Sequence, residues 1–226
     1  APPAGYWDGV QLILKQHGIL LIMDEVMTGF GRTGRRFGSD HYGIKPDLLV
    51  AGKGLAGGYA PIAGVFGTDA VAEAIAAGGF SVMFHTFGAM PQACAAATSV
   101  LQILRRDDLI ERAKTRGNQL KAALIERLSQ HPRVAEIRGT GLLIAVEVVA
   151  DRETLIPFDQ SLRVTDQIIG HGMSQGVFFY PGGTGEIRDI ICMGPAFIID
   201  DDDIQLTVDA LSYALDALID LENPVT

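Results

Sequence analysis

The chain has 226 residues, 48% of them hydrophobic, and a formal net charge of −9. This length is enough for one large globular domain or two smaller ones. The 18 lysines and arginines are scattered singly or in pairs, which excludes a nucleic-acid-binding patch. The apolar runs are far shorter than the ~20 residues that a membrane-spanning helix needs, so we predict no membrane span.

The remaining compositional signals argue against a metalloprotein and against a secreted protein. Cys94 and Cys192 lie far apart in segments that read as a buried helix and a buried strand, which favours reduced structural thiols in a cytoplasmic protein. The five histidines lack the spacing of metal ligands, so we predict no metal site. Residues 1–5 lack the build of a signal peptide and do not begin with Met, so the sequence reads as part of a longer polypeptide.

In the first half of the chain, helices alternate with short apolar strands. The predicted helices are Tyr6–His17, ended by Gly18, then Asp69–Ala77, capped by Asp69, and Pro91–Leu104. The predicted strands are the fully buried Ile19–Met23, then Asp47–Ala51 and Ile62–Phe66. This alternation predicts an α/β domain with a mostly parallel sheet that is covered on both faces.

The second half of the chain predicts a smaller α+β domain. It begins with a long amphipathic helix whose apolar stripe is Leu109, Ala113, Leu120, Leu124 and Leu128. The later predicted elements are strands Gly141–Val149, Val177–Tyr180 and Asp189–Met193, helix Ser161–Gln175, and a final helix that starts at the acidic run Asp200–Asp203. We interpret that acidic run as a helix start rather than a metal site. We place the domain boundary between residues 106 and 107.

Two residues at strand ends carry the first functional signal. Asp24 follows an all-apolar strand, where burying a carboxylate without a cationic partner is unfavourable. Lys53 follows the next strand between Gly52 and Gly54, which let another group approach the backbone closely. Open α/β sheets bind ligands at the carboxyl ends of their strands. From these residues alone, a ligand site and a buried salt bridge between Asp24 and Lys53 are both open.

The wider motifs decide between these two interpretations. Residues 21–26 read LIMDEV, residues 28–34 read TGFGRTG, and residues 52–58 read GKGLAGG. Residues 85–88, which read HTFG, follow in order. This ordered set resembles the class III aminotransferases, also called ω-aminotransferases. The resemblance extends more loosely through GTGL at residues 139–142 to the final helix.

The resemblance implies an enzyme of fold type I that depends on pyridoxal 5'-phosphate (PLP), and it assigns roles to four residues. Lys53 would bind the cofactor covalently as a Schiff base and would move protons during the reaction. Asp24 would keep the pyridine nitrogen protonated, and Val26 would pack against one face of the ring. Thr86 would donate its hydroxyl to the cofactor phosphate held by the partner subunit.

The resemblance also implies a domain assignment and a reaction. Residues 1–106 would be the C-terminal part of the large PLP-binding domain, and residues 107–226 would be a small C-terminal α+β domain. The implied enzyme is a cytoplasmic homodimer with shared active sites. It would transfer an amino group from an amine or ω-amino acid donor to a keto acid such as pyruvate.

Two neighbouring polar residues of the motif have simpler interpretations. Glu25 should point away from Asp24 if the strand continues, so we predict a structural hydrogen bond for it. Arg32 lies in a glycine-rich loop and is interpreted as solvated.

Departures from the family pattern refine the expected substrate. Amino-acid-specific members carry an arginine for the substrate α-carboxylate where this chain aligns Cys192, and Arg188 would need a different register. This loss favours an amine or ω-amino acid donor, and Met90 indicates a more apolar site. The family's glycine-rich phosphate loop and the aromatic ring that stacks on PLP would lie upstream of Asp24, and this sequence has neither.

Two alternatives remain open at this point. Another class III reaction on the same scaffold, such as that of an aminomutase, a racemase or a decarboxylating transaminase, would use the same Lys53 and Asp24. A non-catalytic fragment of such an enzyme is the second alternative, and the missing phosphate loop supports it.

Overall fold

The structure is a computed structural model that describes residues 2–79, 85–184 and 187–221, with the backbone alone at residues 187 and 188. The chain divides into two compact units, Ala1–Glu111 and Arg112–Thr226. The boundary predicted after Arg106 lies near the end of the first unit. The assignment of the two units to a large and a small enzyme domain stays a prediction.

Within its described residues, 2–79 and 85–111, unit 1 contains a three-stranded sheet and three helices. The strands are β1 (Ile22–Asp24), β2 (Leu48–Ala51) and β3 (Gly64–Gly67), and the helices are α1 (Tyr6–His17), α2 (Asp69–Ala77) and α3 (Pro91–Arg106). Short 3-10 helices cover Gly38–Tyr42 and Lys53–Leu55. The strand order is β1-β2-β3, with β1 parallel and β3 antiparallel to β2. The α/β class is therefore confirmed, and the described sheet is mixed.

Hydrogen bonds at both ends of β1 fix its register on β2. Leu21 N donates to Asp47 Oδ2 at 2.8 Å, and Asp47 N donates to Leu21 O at 2.9 Å. Beyond the strand, Glu25 N donates to Val50 O at 2.8 Å. Asp24 is thereby paired with Val50. A slip of one residue would move each side chain of β1 to the other face of the sheet, so these bonds decide where Asp24 points.

The prediction of a fully buried strand at Ile19–Met23 is wrong. The strand is Ile22–Asp24, and Ile22 is 60% exposed while Ile19 and Leu20 are more than half exposed. Helix α1 ends at Gly18 as predicted, but it has no buried residue in the described structure. An apolar sequence predicts that a segment is buried. Whether the segment is buried depends on which other elements pack against it.

Unit 2 is a four-stranded antiparallel sheet packed against helices. Its elements are α4 (Leu109–Leu128), β4 (Val134–Thr140), β5 (Leu143–Val148), α5 (Val164–Ser174), β6 (Tyr180–Thr184), β7 (Ile187–Met193) and α6 (Asp201–Asp216), where α4 begins just before the unit boundary. The strand order is β4-β5-β7-β6. The core combines Ala113, Leu120, Leu124 and Leu128 of the predicted α4 stripe with alternate residues of β5 and the inner face of α6, whereas Leu109 of that stripe is half-buried and lies outside it. This unit has the larger core of the two.

Several boundaries in unit 2 differ from the prediction. Strand β4 was not predicted, although its alternation of apolar and charged residues is typical of a half-exposed strand. The predicted strand Val177–Tyr180 is wrong, because β6 begins at Tyr180 and Val177 N donates instead to Gly172 O at the end of α5. The acidic start of α6 is confirmed, since Asp200 and Asp203 form a capping box.

A helix cap in unit 1 also differs from the prediction. Asp69 lies in the first turn of α2, and the N-cap position belongs to Thr68. Helix α3 begins at Pro91 as predicted and ends at Arg106, slightly beyond the predicted Leu104. In the part of the chain that the structure describes, no helix is long and apolar enough to cross a membrane.

Candidate active site

Asp24 and Lys53 lie at the same edge of the unit 1 sheet. Asp24 is the last residue of β1, and Lys53 follows β2 after Gly52. Because β1 and β2 are parallel neighbours, both carboxyl ends meet at one edge. Both side chains are exposed there. The structure therefore brings together the carboxylate and the amine that the sequence singled out.

Lys53 occupies a strained turn. Its φ angle is +39°, in the region that residues with a side chain seldom adopt, and it opens the 3-10 helix Lys53–Leu55. Its Nζ lies 2.6 Å from Met27 Sδ. Strained backbone of this kind persists where the surroundings determine it and is concentrated at functional sites. Met27 was missed in the sequence, where no motif distinguishes it from a core methionine.

The alternative of a buried ion pair between Asp24 and Lys53 is wrong. Both side chains are exposed, and in the described structure the Lys53 amine contacts Met27 rather than a carboxylate. Asp24 Oδ1 accepts a hydrogen bond of 3.0 Å from Val26 N. This bond fixes one carboxylate oxygen and leaves the exposed side chain able to accept from a ligand.

Glu25 is fully buried and forms the predicted structural hydrogen bonds. Gly38 N donates to its Oε2 at 2.8 Å, Ser39 N donates to its Oε1 at 2.7 Å, and the Thr28 hydroxyl also donates to Oε2. Burial alone would raise the pKa of the Glu25 carboxyl, but these hydrogen bonds outweigh burial and hold the pKa below its usual value. The carboxylate therefore stays ionised inside the loop.

The interpretation of Arg32 as a solvated residue is wrong. Its side chain is half-buried in the loop of residues 29–34, and burial lowers the pKa of its guanidinium. In the same loop Phe30 has a φ angle of +57°, which is rare for a bulky residue. Phe30 packs against the small cluster of Leu55, Ala56 and Ala97, which begins two residues after Lys53.

The two other predicted cofactor residues lie at different places in unit 1. Val26 lies two residues after the end of β1, is half-buried, and donates its N–H to Asp24 Oδ1 at 3.0 Å. Thr86 is exposed in a turn closed by a 2.9 Å hydrogen bond from Gly88 N to His85 O. Thr86 makes no hydrogen bond within the described ranges, so its hydroxyl is available to a ligand. The structure does not bring Thr86 into contact with Asp24 or Lys53.

Cys192 lies in unit 2, on β7 between Ala145 of β5 and Tyr180 of β6. It is half-buried, and burial raises the pKa of its thiol, so the group is neutral at physiological pH. Both cysteines are free thiols, as predicted. Within residues 2–79, 85–184 and 187–221, no cluster of potential ligands could hold a metal ion.

The donor set at the sheet edge fits PLP. An exposed amine can bond covalently to the cofactor aldehyde, and an exposed carboxylate on the adjacent strand can accept a hydrogen bond from a protonated pyridine nitrogen. Gly54 allows Phe30 to pack closely against the backbone, because a Cβ on Gly54 would lie 3.3 Å from Phe30 Cβ. Lys53 would hold the reactive aldehyde end of the cofactor, and Asp24 would hold its ring nitrogen.

Comparisons with known proteins place the chain in one family. The family model described as Aminotransferase class-III matches residues 1–215. The aminotransferase YodT of Bacillus subtilis is 36% identical over 96% of this chain and 50% of its own length. The taurine–pyruvate aminotransferase of Rhodobacter capsulatus is 34% identical over 95% of this chain and 48% of its own.

A solved structure supports the same conclusion. The thermostable (S)-enantioselective omega-transaminase from Thermomicrobium roseum superposes with a TM-score of 0.90 at 35% identity, over 97% of this chain and 48% of that one. The chain belongs to the class III aminotransferases, as its motifs indicated. It spans about half the length of the relatives that it matches.

Proposed function

We propose that this chain supplies the lysine and the aspartate of a PLP-dependent transaminase site. The proposed reaction moves an amino group from an amine or ω-amino acid donor to a keto acid such as pyruvate. The observation that carries the proposal is the meeting of Asp24 and Lys53 at the carboxyl ends of two adjacent parallel strands, with Lys53 on a strained turn.

Each residue has a role that its chemistry allows. PLP, when bound, supplies an electron sink for the charge that develops at the donor carbon. Lys53 Nζ would hold the cofactor covalently and, as a free amine, would accept the proton from the donor carbon. The Asp24 carboxylate keeps the pyridine nitrogen protonated, because a fixed negative charge favours the cationic form of a neighbouring base. Val26 packs against one face of the ring.

The neutral thiol of Cys192 supports the choice of donor. The resemblance aligns Cys192 with the arginine that binds an α-carboxylate in amino-acid-specific members, and a neutral thiol offers no charge to a carboxylate. The taurine–pyruvate relative, whose name gives an ω-amino donor and pyruvate, fits this choice. A donor screen with pyruvate as acceptor tests it. Faster turnover of α-amino acids than of terminal amines would contradict the proposed donor class.

The cofactor attachment has a direct test. In the enzyme that contains this chain, borohydride reduction followed by peptide mapping should place the pyridoxyl label on Lys53. The matched controls are the other lysines, Lys15, Lys45, Lys114 and Lys121. A label on any of these instead of Lys53 would overturn the assignment. Absence of any label, together with absence of transamination, would favour a non-catalytic protein.

We also propose a cytoplasmic homodimer in which Thr86 reaches the cofactor phosphate of the partner subunit. The exposed Thr86 hydroxyl supports this role. Subunit mixing tests it with two variants, Lys53→Ala and Thr86→Val, each of low activity alone. If sites are shared, the mixed dimer contains one site with both changes and one intact site, so activity rises above that of either parent. If Thr86 acts within its own subunit, mixing restores nothing.

A further inference from the structure

We propose that Glu25 is a positioning residue, whose buried carboxylate holds the end of β1 against residues 38–39 and thereby fixes Asp24 relative to the turn that carries Lys53. This inference rests on the proposed function of Asp24 and Lys53. It concerns a residue that does not touch the cofactor in that proposal, and it is carried by the contacts of the loop between β1 and β2.

The carboxylate of Glu25 accepts hydrogen bonds from two separate parts of this loop. Its described donors are the amides of Gly38 and Ser39 and the hydroxyls of Thr28 and Ser39, which are all neutral, and the two amides approach different oxygens. The space around it is closed, because a Cβ on Gly38 would lie 2.9 Å from Thr28 Cβ and 3.2 Å from Glu25 Oε2. Hydrogen bonds stabilise this fully buried charge, and losing a donor would leave part of the charge without a partner. The donors are therefore held in place around the carboxylate.

The first consequence concerns the direction of Asp24. Glu25 and Asp24 are adjacent at the end of a strand, so their side chains leave the backbone on opposite sides. Glu25 is fixed twice, since its side chain is held by the loop and its amide donates to Val50 O at 2.8 Å. With Glu25 held inward, Asp24 is directed to the exposed side.

The second consequence concerns the turn that carries Lys53. Gly29 N donates to Glu25 O at 2.9 Å, and a Cβ on Gly29 would lie 2.8 Å from that oxygen. Next to Gly29, Phe30 lies against Gly54, whose added Cβ would be 3.3 Å from Phe30 Cβ and 3.4 Å from Gly29 O. A continuous series of close contacts therefore runs from Glu25 to the residue after Lys53.

Both Phe30 and Lys53 have positive φ angles within this series of contacts, at +57° and +39°. Such conformations relax when the packing that imposes them is loosened. Glu25 is the buried anchor of that packing. Weakening its hydrogen bonds should therefore change the alignment of Asp24 and Lys53 before it unfolds the unit.

The test uses Glu25→Gln in the enzyme that contains this chain. Glutamine keeps the shape but turns one acceptor into a donor that faces an amide N–H. We expect the same borohydride label on Lys53 and a fall in kcat of about tenfold or more with KM for the donor nearly unchanged, because misalignment acts on the reacting geometry rather than on binding. We also expect a shifted absorbance maximum of the bound cofactor and faster amide exchange at Gly38 and Ser39 in the cofactor-free protein.

Asp40→Asn is the matched control. Asp40 is an exposed carboxylate in the same loop that accepts from Phe37 N at 3.2 Å and lies 3.7 Å from Arg36 Nε. Its amide variant should leave kcat and the absorbance maximum unchanged. If Glu25→Gln does not fold, Thr28→Val removes one donor and keeps the carboxylate, and it should lower kcat in the same way to a smaller extent.

The outcomes separate this inference from the proposed function. Normal kcat and absorbance in Glu25→Gln, with faster exchange at Gly38 and Ser39, would show a merely structural glutamate and overturn the inference. Normal kcat in a folded Thr28→Val variant, where Glu25→Gln is unfolded, would overturn it as well. Absence of the label on Lys53 in the unmodified enzyme would overturn the proposed function itself.

Discussion

Gly117 of α4 lies directly against the carbonyl of Gly141 in the turn between β4 and β5. A Cβ built on Gly117 would be 2.0 Å from Gly141 O and 2.2 Å from its carbonyl carbon. Both contacts are with backbone, which cannot move aside as a flexible side chain could. The helix and the turn can pack this closely only because position 117 has no side chain.

We predict that Gly117→Ala lowers the free energy of unfolding by about 3 kcal/mol or more, because overpacking against backbone forces α4 away from the sheet. Gly170→Ala is the matched control, since Gly170 is also helical and a Cβ there meets nothing within 4 Å. This control should be neutral or stabilising by up to about 1 kcal/mol. Urea denaturation measures both. Equal stability of the two variants would show that the turn adapts.

Arg133 is predicted to be essential for anchoring the end of α6 in unit 2. Its Nε donates to Leu218 O at 3.1 Å, and its Nη2 donates to Ile219 O at 2.6 Å and to Leu221 O at 2.9 Å. The guanidinium also lies 5.2 Å from the centre of the Phe158 ring. Lysine cannot reproduce this planar set of donors, so Arg133→Lys should destabilise the unit by about 2 kcal/mol.

The control for Arg133 is Arg163→Lys, which alters an exposed ion pair with Asp166. Exposed pairs contribute little, so this variant should unfold at nearly the same denaturant concentration as the original chain. A loss of stability in Arg163→Lys as large as in Arg133→Lys would mean that the carbonyl contacts of Arg133 are not the cause.

His131 is predicted to make unit 2 less stable in mild acid. Its side chain is 8% exposed, its Nδ1 accepts from Arg133 N at 3.1 Å, and its Nε2 lies 3.5 Å from Asp216 Oδ1. Burial lowers the pKa of His131 below 6.5, although the charge of Asp216 acts in the opposite direction. Below pH 6.5 the unfolded chain binds the proton before the folded chain does, so stability falls as the pH decreases through this range.

Unfolding measured between pH 7.5 and about 5 tests this dependence. His131→Asn should flatten the loss of stability on acidification, because the titrating ring is gone. His171→Asn, which replaces a half-buried histidine of α5, should keep the original slope. An unchanged slope in His131→Asn would assign the acid sensitivity to other groups.

Asp24→Asn is predicted to separate cofactor attachment from turnover in the enzyme that contains this chain. The variant should keep the covalent label on Lys53, because that bond does not involve Asp24. It should lose most transamination, by about 100-fold or more, because an amide cannot stabilise a protonated pyridine nitrogen. Asp69→Asn, an exposed acid in the first turn of α2, is the control. Near-normal turnover in Asp24→Asn would remove Asp24 from the mechanism.

Expressed alone, residues 1–226 are predicted to bind PLP weakly and to turn over no donor. The glycine-rich cradle that anchors the phosphate in the family is not in this sequence, and Ile19, Leu20 and Ile22 are each more than half exposed in unit 1. Limited proteolysis should cut unit 1 first and leave unit 2, with its larger core, intact. Titration with PLP and a pyruvate-coupled assay complete the test. Micromolar affinity with measurable turnover would contradict the prediction.

The sequence predicted elements well where local pattern alone determines them. The stripe of α4 depends on spacing and is confirmed at Ala113, Leu120, Leu124 and Leu128, and the end of α1 depends on a single glycine and is confirmed at Gly18. The exposure of Ile22 could not be predicted, because it depends on which elements cover the sheet. For the candidate site, the motifs selected Asp24 and Lys53, and parallel pairing of their strands brings the two residues to one edge.

Other contacts of the site leave no signal in the sequence. The contact of Lys53 Nζ with Met27 Sδ has no sequence signal, since a methionine after an apolar segment is ordinarily predicted to be core. The strand alternation predicted that Glu25 points away from Asp24, but it could not indicate that Gly38 and Ser39 would supply the donors. Those partners are separated from Glu25 by a loop whose path is set by tertiary contacts.

The pairing of β1 with β2 also determines when the site forms during folding. The two strands are joined through the long loop that begins at Glu25, so the chain must close that loop before a three-residue ladder gains any hydrogen bond. Local contacts such as those within α3 or α4 carry no such entropic penalty. Asp24 and Lys53 should therefore become neighbours late on the folding pathway, and a transient opening of β1 alone is enough to separate them.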